Sequence, residues 1–435
     1  MITRKRIKGQ EKILAFRWQQ LLGKELITEE GEKLKAIYPG RINNDSGPDF
    51  RDVTITINGE FVRGDMEIHV KSSNWYRHAH DGNPEYNGVI LHLVEWHDCN
   101  STLLQNGKLI PVVCLSPELW HRTSLPFYHL PCFQMFKRRD KQALKELLNV
   151  AGKERFEQKA SSFQSACWRE EAGRVLFRGM MRALGYSKNM NPFEELSGKL
   201  SLNFIERLEP RESLSLKQAW LLGTAGLLPS QRLWENSSRE REIEVLEQIW
   251  QSIGKGVKPM SQNDWQFSHV YPNNSPVRRL VALSYLLQRY HKRGLLKGIL
   301  QLVEKTPLTA GRRGLDDSLI VAGDSYWQEH FDIGWKTRKS ALLGHGKAGE
   351  LMVNVILPFI SSWGGITNDP ELREKAVNFY LHYSKLAENE ITRHMVDQLC
   401  LADTSGFTAC HQQGLIHIYR TYCREGTCLQ CPLVN

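Results

Sequence analysis

The chain has 435 residues, 41% of them hydrophobic and 24% charged. That is enough apolar material for two or three globular domains, and it excludes a disordered or collagen-like chain. Lys and Arg outnumber Asp and Glu by 57 to 48, a formal charge of +9, which suits a polyanionic partner such as DNA or RNA without demanding one.

No stretch reaches the roughly 18 consecutive apolar residues that a membrane-spanning helix needs. The best candidate, Leu351 to Ile360, is interrupted by Asn354 and Pro358. The start, Met1-Ile2-Thr3-Arg4-Lys5-Arg6, is charged with no apolar stretch behind it. A cytoplasmic protein with no membrane partner is therefore expected. Thiols stay reduced there, so the nine cysteines are expected to be buried, catalytic or metal-bound rather than paired.

In chain order, residues 11–37 read as helical, with Ile13, Leu14, Phe16, Leu21 and Leu22 among charges, and Pro39-Gly40 stops them. Residues 41–115 read as β-rich. Val53-Thr54-Ile55-Thr56-Ile57 alternates and is followed by Asn58-Gly59, a strong hairpin signal, so the partner strand is expected from about Glu60 to Lys71. Val89 to Trp96 is mostly apolar and predicts a strand buried on both faces. Leu109 to Leu115 is a further short strand. From about residue 137 the pattern turns helical, with amphipathic stretches at 141–148, Val175 to Leu184, Glu242 to Trp250, Arg278 to Leu287 and Ala376 to Leu386. The expectation is an α+β protein: a mixed α/β domain over 1–130, then an all-helical region over 131–435 that ends in a cysteine cluster.

The chemistry concentrates in Gly47-Pro48-Asp49-Phe50 and Asp65-Met66-Glu67-Ile68-His69-Val70-Lys71. Along a strand, Met66, Ile68 and Val70 share one face and Glu67, His69 and Lys71 the other, in steps of about 6–7 Å. A carboxylate there holds a hard cation, and a neighbouring His or Lys orients or deprotonates a water on it. Strict hairpin register puts Phe50 opposite Glu67, with Asp52 on the Glu67 face and Asp49 turned away. One extra residue near Gly47-Pro48 reverses this. Asp49 is the favoured second carboxylate and Asp52 the reserve.

A Pro-Asp followed by a strand bearing Glu-x-His, on a hairpin after an N-terminal helix, resembles the PD-(D/E)XK nuclease superfamily over residues 11–115. The resemblance implies a restriction-endonuclease-like N-terminal domain, with Asp49 and Glu67 as ligands of Mg²⁺ or Mn²⁺. It also implies a Lys two positions after the Glu that positions the attacking water. Here that position is His69, and Lys71 is one strand step further. The whole chain also resembles a family of uncharacterised bacterial proteins. The matching segments are Ser46-Gly47-Pro48-Asp49-Phe50, Glu67-Ile68-His69, Ser72-Ser73-x-Trp75, His78-x-His80, Val89-Ile90-Leu91-His92, Tyr422-Cys423 and Cys428-x2-Cys431.

Asn74-Trp75-Tyr76-Arg77-His78-Ala79-His80-Asp81 follows the strand. Next to a metal, Trp75 would stack a base, Arg77 would meet a phosphate, and His78 and His80 would touch substrate. The alternative is a zinc- or manganese-type N/O site built from His78, His80 and Asp81 with His69 and His92. His92, inside an apolar strand, reads first as a hydrogen-bonded core residue. Cys423-x4-Cys428-x2-Cys431 closes the chain, a spacing suited to Zn²⁺ or an iron–sulfur cluster, both of which want four ligands. Cys132, Cys400, Cys410 and His411 are candidates for the fourth, and Cys132 is taken with the trio. Cys99, Cys114 and Cys167 read as core residues.

Gly344-His345-Gly346-Lys347-Ala348-Gly349 matches the dinucleotide fingerprint in form but lacks the preceding strand. The basic groups Lys137-Arg138-Arg139, Arg278-Arg279, Arg289 to Lys297 and Arg312-Arg313 are candidates for a phosphate-binding groove. The functional expectation is metal-dependent phosphodiester hydrolysis of nucleic acid. The alternative is a non-enzymatic nucleic-acid or protein-binding scaffold with a degenerate nuclease fold.

Overall fold

The structure, a computed structural model, describes residues 9–99, 101–115, 130–132, 141–208, 213–232, 240–268, 270–401 and 403–434. Helix α1 spans Gln10–Gln20, shorter than the helix expected over 11–37. Gly23 and Gly31, with φ of 74° and 86°, turn the chain, and the rest forms strands β1 (Glu25–Ile27) and β2 (Lys33–Tyr38). The overlooked signal has period two: Leu34, Ala36 and Tyr38 are buried while Lys33 and Lys35 are exposed.

Five more strands follow: β3 (Arg41–Ile42), β4 (Phe50–Ile57), β5 (Glu60–Lys71), β6 (Val89–Trp96) and β7 (Val112–Cys114). The sheet order is β1-β2-β4-β5-β6-β7, with β3 paired to β4. Strands β4 and β5 form the expected hairpin. Ile57 faces Glu60, and Asn58 and Gly59 take φ of 50° and 92°, the two left-handed residues of a type I′ turn. Strand β6 runs parallel to both β5 and β7 and is buried along all but its last residue. That burial on two faces explains its nearly unbroken apolar sequence.

The register between β4 and β5 changes once. Val53 faces Gly64, but Phe50 faces Met66, so Arg51 and Asp52 together oppose Asp65. This is a β-bulge, and Asp52 carries its left-handed backbone, φ 60°. The Asp52 carboxylate accepts from Arg41 Nε at 3.1 Å and Tyr419 Oη at 2.6 Å, its N–H donates to Asp65 Oδ1, and Arg51 pairs with Asp65. These partners hold the extra residue in place.

One face of the sheet packs Val53, Ile55, Met66, Ile68, Leu91 and Leu93 against Leu14 and Trp18 of α1 and Leu22 just beyond it. On the other face, Glu67, His69 and His92 lie beside a small cluster of Trp75, Tyr86, Val89, Leu104 and Ile110. The described residues up to Ala151 form one compact unit with Glu388–Ser405, which contains helix α3 (Glu390–Gln398), and with the tail from Gly414 onward. Hydropathy patterning attaches this tail to the helical region, but its contacts are with the sheet. Thr54 Oγ1 donates to the Arg424 carbonyl at 3.0 Å, and Arg63 pairs with Glu425 at 2.6 Å. Gly426, φ 68°, packs against Ile37 and Thr54, where any side chain would crowd both.

The second unit, Gly152–Ala387 with Gly406–Gln413, is mostly helical. Its helices include Ala172–Leu184, Arg241–Ile253, Pro276–Arg289 and Pro370–His382. It is not all-helical: His330–Asp332 and Trp335–Lys336 pair as a short ribbon. The run His345–Ile366 is long and apolar enough to cross a membrane, yet 72% of its most apolar window is buried, and Leu351, Val353, Ile356 and Phe359 lie in the unit's core.

Candidate metal centre

The bulge determines which carboxylate meets Glu67. Continuing the register past Phe50 and Met66 places Asp49 opposite Glu67 on the same side of the sheet. The Asp49 N–H donates to Glu67 Oε2 at 2.9 Å, and Asp49 Oδ2 accepts from the Ile68 N–H at 3.2 Å. Both carboxylates are buried, at 3% and 1% exposure. Asp52, the reserve candidate, is committed to Arg41 and Tyr419 instead.

Three histidines close on Glu67. His69 comes from the same strand face. His78 and His80 come from the loop after helix α2 (Asn74–Arg77), a single turn that ends at Ala79 in the left-handed region, φ 56°. That reversal turns His80 back under the sheet, where it stacks on Tyr86 at 3.9 Å. His80 Nε2 lies 3.2 Å from Glu67 Oε1, and His69 Nε2 lies 3.7 Å from the same oxygen and 3.1 Å from His78 Nδ1. Ligand nitrogens of His69, His78 and His80 all fall within 4.8 Å of one another. His69 and His80 are buried and His78 is exposed, so the cluster opens to solvent at His78.

These spacings fit an ion. Two donors on one tetrahedral ion, with bonds near 2.1 Å, stand about 3.4 Å apart. His80 Nε2 is buried and makes no hydrogen bond, although Glu67 Oε1 lies 3.2 Å away. A buried nitrogen aimed at a carboxylate without a hydrogen bond is the pattern expected of two donors that share a cation.

Behind the cluster, His92 is fully buried, with Nε2 2.9 Å from His69 Nδ1 and Nδ1 3.0 Å from Thr102 Oγ1. Burial, with the charges of His80 and His97 adding to it, lowers its pKa to about 3 and keeps it neutral. Two proton arrangements satisfy this chain. In one, each ring donates outward and His69 Nε2–H reaches His78. In the other, His69 Nδ1–H donates to His92, His92 donates to Thr102, and the His69 Nε2 lone pair faces Glu67 and His78. A cation selects the second.

Other expected site residues lie elsewhere. Lys71 is exposed at the end of β5, about 13 Å along the strand from Glu67. Its ammonium is 3.9 Å from Asp98. Trp75 is not a stacking surface: it is fully buried, and its indole N–H donates to the Leu103 carbonyl at 2.8 Å. Arg77 is exposed beside His78. Among the basic groups, Lys137, Arg138 and Arg139 lie outside the described residues. Arg278 is fully buried and donates to the carbonyls of Trp327 and His330, and Arg279 donates to that of Leu342, so this pair braces the second unit rather than facing phosphate. Lys347 of the glycine-rich segment is also buried, 3.3 Å over the Tyr186 ring. A cleft of about 610 Å³ in the first unit, lined by Gln20, Pro39, Arg393 and His394, includes none of the histidine-cluster residues.

The cysteines sort by burial and place. Cys400 is exposed and Cys410 lies in the second unit's core. Cys132, Cys423 and Cys431 are buried in the first unit and Cys428 is half-buried. Gln398 Nε2 contacts Cys132 Sγ at 3.8 Å and Cys423 Sγ at 3.7 Å.

A family model described as "Protein of unknown function (DUF2851)" matches residues 11–390. No curated protein and no solved structure matches the chain.

Proposed function

The chain belongs to the family described by that model, and we propose that it is a metal-dependent hydrolase of nucleic-acid phosphodiesters. The observation that carries this reading is the bulge at Arg51–Asp52, which sets Asp49 opposite Glu67 beside the buried, unbonded Nε2 of His80. It supports the likeness to PD-(D/E)XK nucleases drawn from Pro48-Asp49 and Glu67-x-His69, in which the Asp and Glu hold the ion. Glu67, His69 and His80 would hold it here, with Asp49 and His78 completing the shell. The donors mix nitrogen and oxygen, which favours Mn²⁺ over Mg²⁺.

A bound ion would supply an acidified water and a Lewis acid for a phosphoryl oxygen. The protein groups do the rest. His92 and Thr102 hold the His69 ring in one orientation. Asp49 fixes the backbone beside Glu67 by accepting from Ile68. His78, exposed at the solvent edge, would close the shell on the side that substrate reaches. Arg77, exposed next to it, is placed to meet a phosphate. The excess of nine positive charges favours approach of a polyanion.

The competing reading is a non-catalytic nucleic-acid or protein-binding scaffold, favoured by the turn of Lys71 away toward Asp98. Incubating the protein with linear duplex DNA, single-stranded DNA and RNA, in Mn²⁺, Mg²⁺ or EDTA, separates the two. Cleavage is expected in Mn²⁺, at least 100-fold slower in Glu67→Ala, and absent in EDTA. Tight binding with no cleavage in any metal would establish the scaffold instead.

A further inference from the structure

Cys132, Cys423, Cys428 and Cys431 of the first unit remain outside the proposed reaction. They come from two distant parts of the chain: Cys132 from the stretch 130–132, and from the tail Cys423, at the end of Tyr419–Cys423, with Cys428 and Cys431 from one tight turn just after it. The Cys431 N–H donates to the Cys428 carbonyl at 3.1 Å, which closes the turn that carries both residues of Cys-x2-Cys. Gln398, on α3, touches the sulfurs of Cys132 and Cys423 with one amide nitrogen. None of these cysteines forms a disulfide.

We propose that Cys132, Cys423, Cys428 and Cys431 form a four-thiolate centre for a thiophilic metal, zinc or an iron–sulfur cluster, which fastens the C-terminal tail to the sheet. Four sulfurs are the full ligand set of such a centre. The other candidates are removed by position: Cys400 is exposed, and Cys410 and His411 belong to the second unit. The Gln398 amide supplies the N–H that outer-shell partners give to metal-bound thiolates. Cys132 and Cys423 each lie close enough to Cys428 and Cys431 for their charges to interact. The proposal does not rest on the hydrolase reading.

The test uses full-length protein purified anaerobically in the Glu67→Gln background, which weakens metal binding at the histidine cluster. Elemental analysis, acid-labile sulfide and the visible spectrum are recorded. The expected result is about one zinc per chain, or iron with equal sulfide and a broad visible absorbance. Cys132→Ser and Cys428→Ser should lose that metal at least tenfold, and Cys400→Ser should keep it. Because the serine variants can misfold, native thiols are also counted with Ellman's reagent before and after displacement of the metal by a chelator under anaerobic conditions. Four further thiols should appear on displacement. A chain with no stoichiometric metal and all nine thiols equally reactive, or one that keeps its metal in Cys132→Ser and Cys428→Ser, overturns the proposal.

Discussion

Single residues of the loop after β5 have different roles from those their type suggests. Trp75 sits among two histidines and an arginine, yet it is fully buried and hydrogen-bonded to Leu103. Trp75→Ala should therefore cost about 3–5 kcal/mol of stability in urea unfolding, as core tryptophans do. An unchanged midpoint with weakened nucleic-acid binding would instead return it to the substrate surface. His92 touches neither solvent nor the proposed ion but orients His69. His92→Leu should weaken Mn²⁺ binding about 10–100-fold, read by electron paramagnetic resonance of free Mn²⁺. Equal affinity in the variant would show that His69 needs no positioning. His92 was legible from its apolar strand as a core histidine. The inward turn of His80 was not, because it depends on Ala79 adopting a left-handed conformation that alanine rarely takes.

Among the elements, the β4–β5 hairpin was readable because Asn58-Gly59 dictates its turn and the alternation of Val53 to Ile57 dictates its face. Strand β2 was not, since Lys33 to Tyr38 shows its alternation over only six residues and follows a genuine helix. The bulge was half legible. Gly47-Pro48 suggested an extra residue, but the structure puts it at Arg51–Asp52, where Arg41, Tyr419 and Asp65 hold it. One of those partners, Tyr419, is distant in sequence and comes from the tail. Deleting Asp52 removes the extra residue but leaves Phe50 opposite Met66 and Asp49 opposite Glu67, so Mn²⁺ binding should persist while the far-ultraviolet circular dichroism stays close to that of the parent. Loss of binding in a folded deletion variant would show that the bulge does more than set which carboxylate faces Glu67.

At the scale of the molecule, the chain begins and ends in the same unit. Patterning finds helices one at a time, so it could not show that α3 and the tail return to the sheet, nor that Arg278 and Arg279 point inward. The return carries a pH dependence. His394 on α3 lies 2.6 Å from the Tyr38 hydroxyl, and burial, with Arg41 adding, lowers its pKa to about 4. The unfolded chain binds that proton near 6.5. The stability from His394 is therefore complete above about pH 6.5 and lost as pH falls toward 4, with a slope of at most about 1.4 kcal/mol per unit. His394→Gln should flatten that part of the stability profile. An identical acid slope in the variant would assign it to other groups.

The most direct test of the central claim is calorimetric titration of the metal-free protein with Mn²⁺, which thiolates bind poorly, in the wild type and in Glu67→Gln. The account predicts one Mn²⁺ per chain in the wild type and at least a tenfold loss of affinity in the variant, whose fold is otherwise intact. Equal binding in the two proteins, or none in the wild type, would contradict a metal centre built on Asp49, Glu67 and the three histidines.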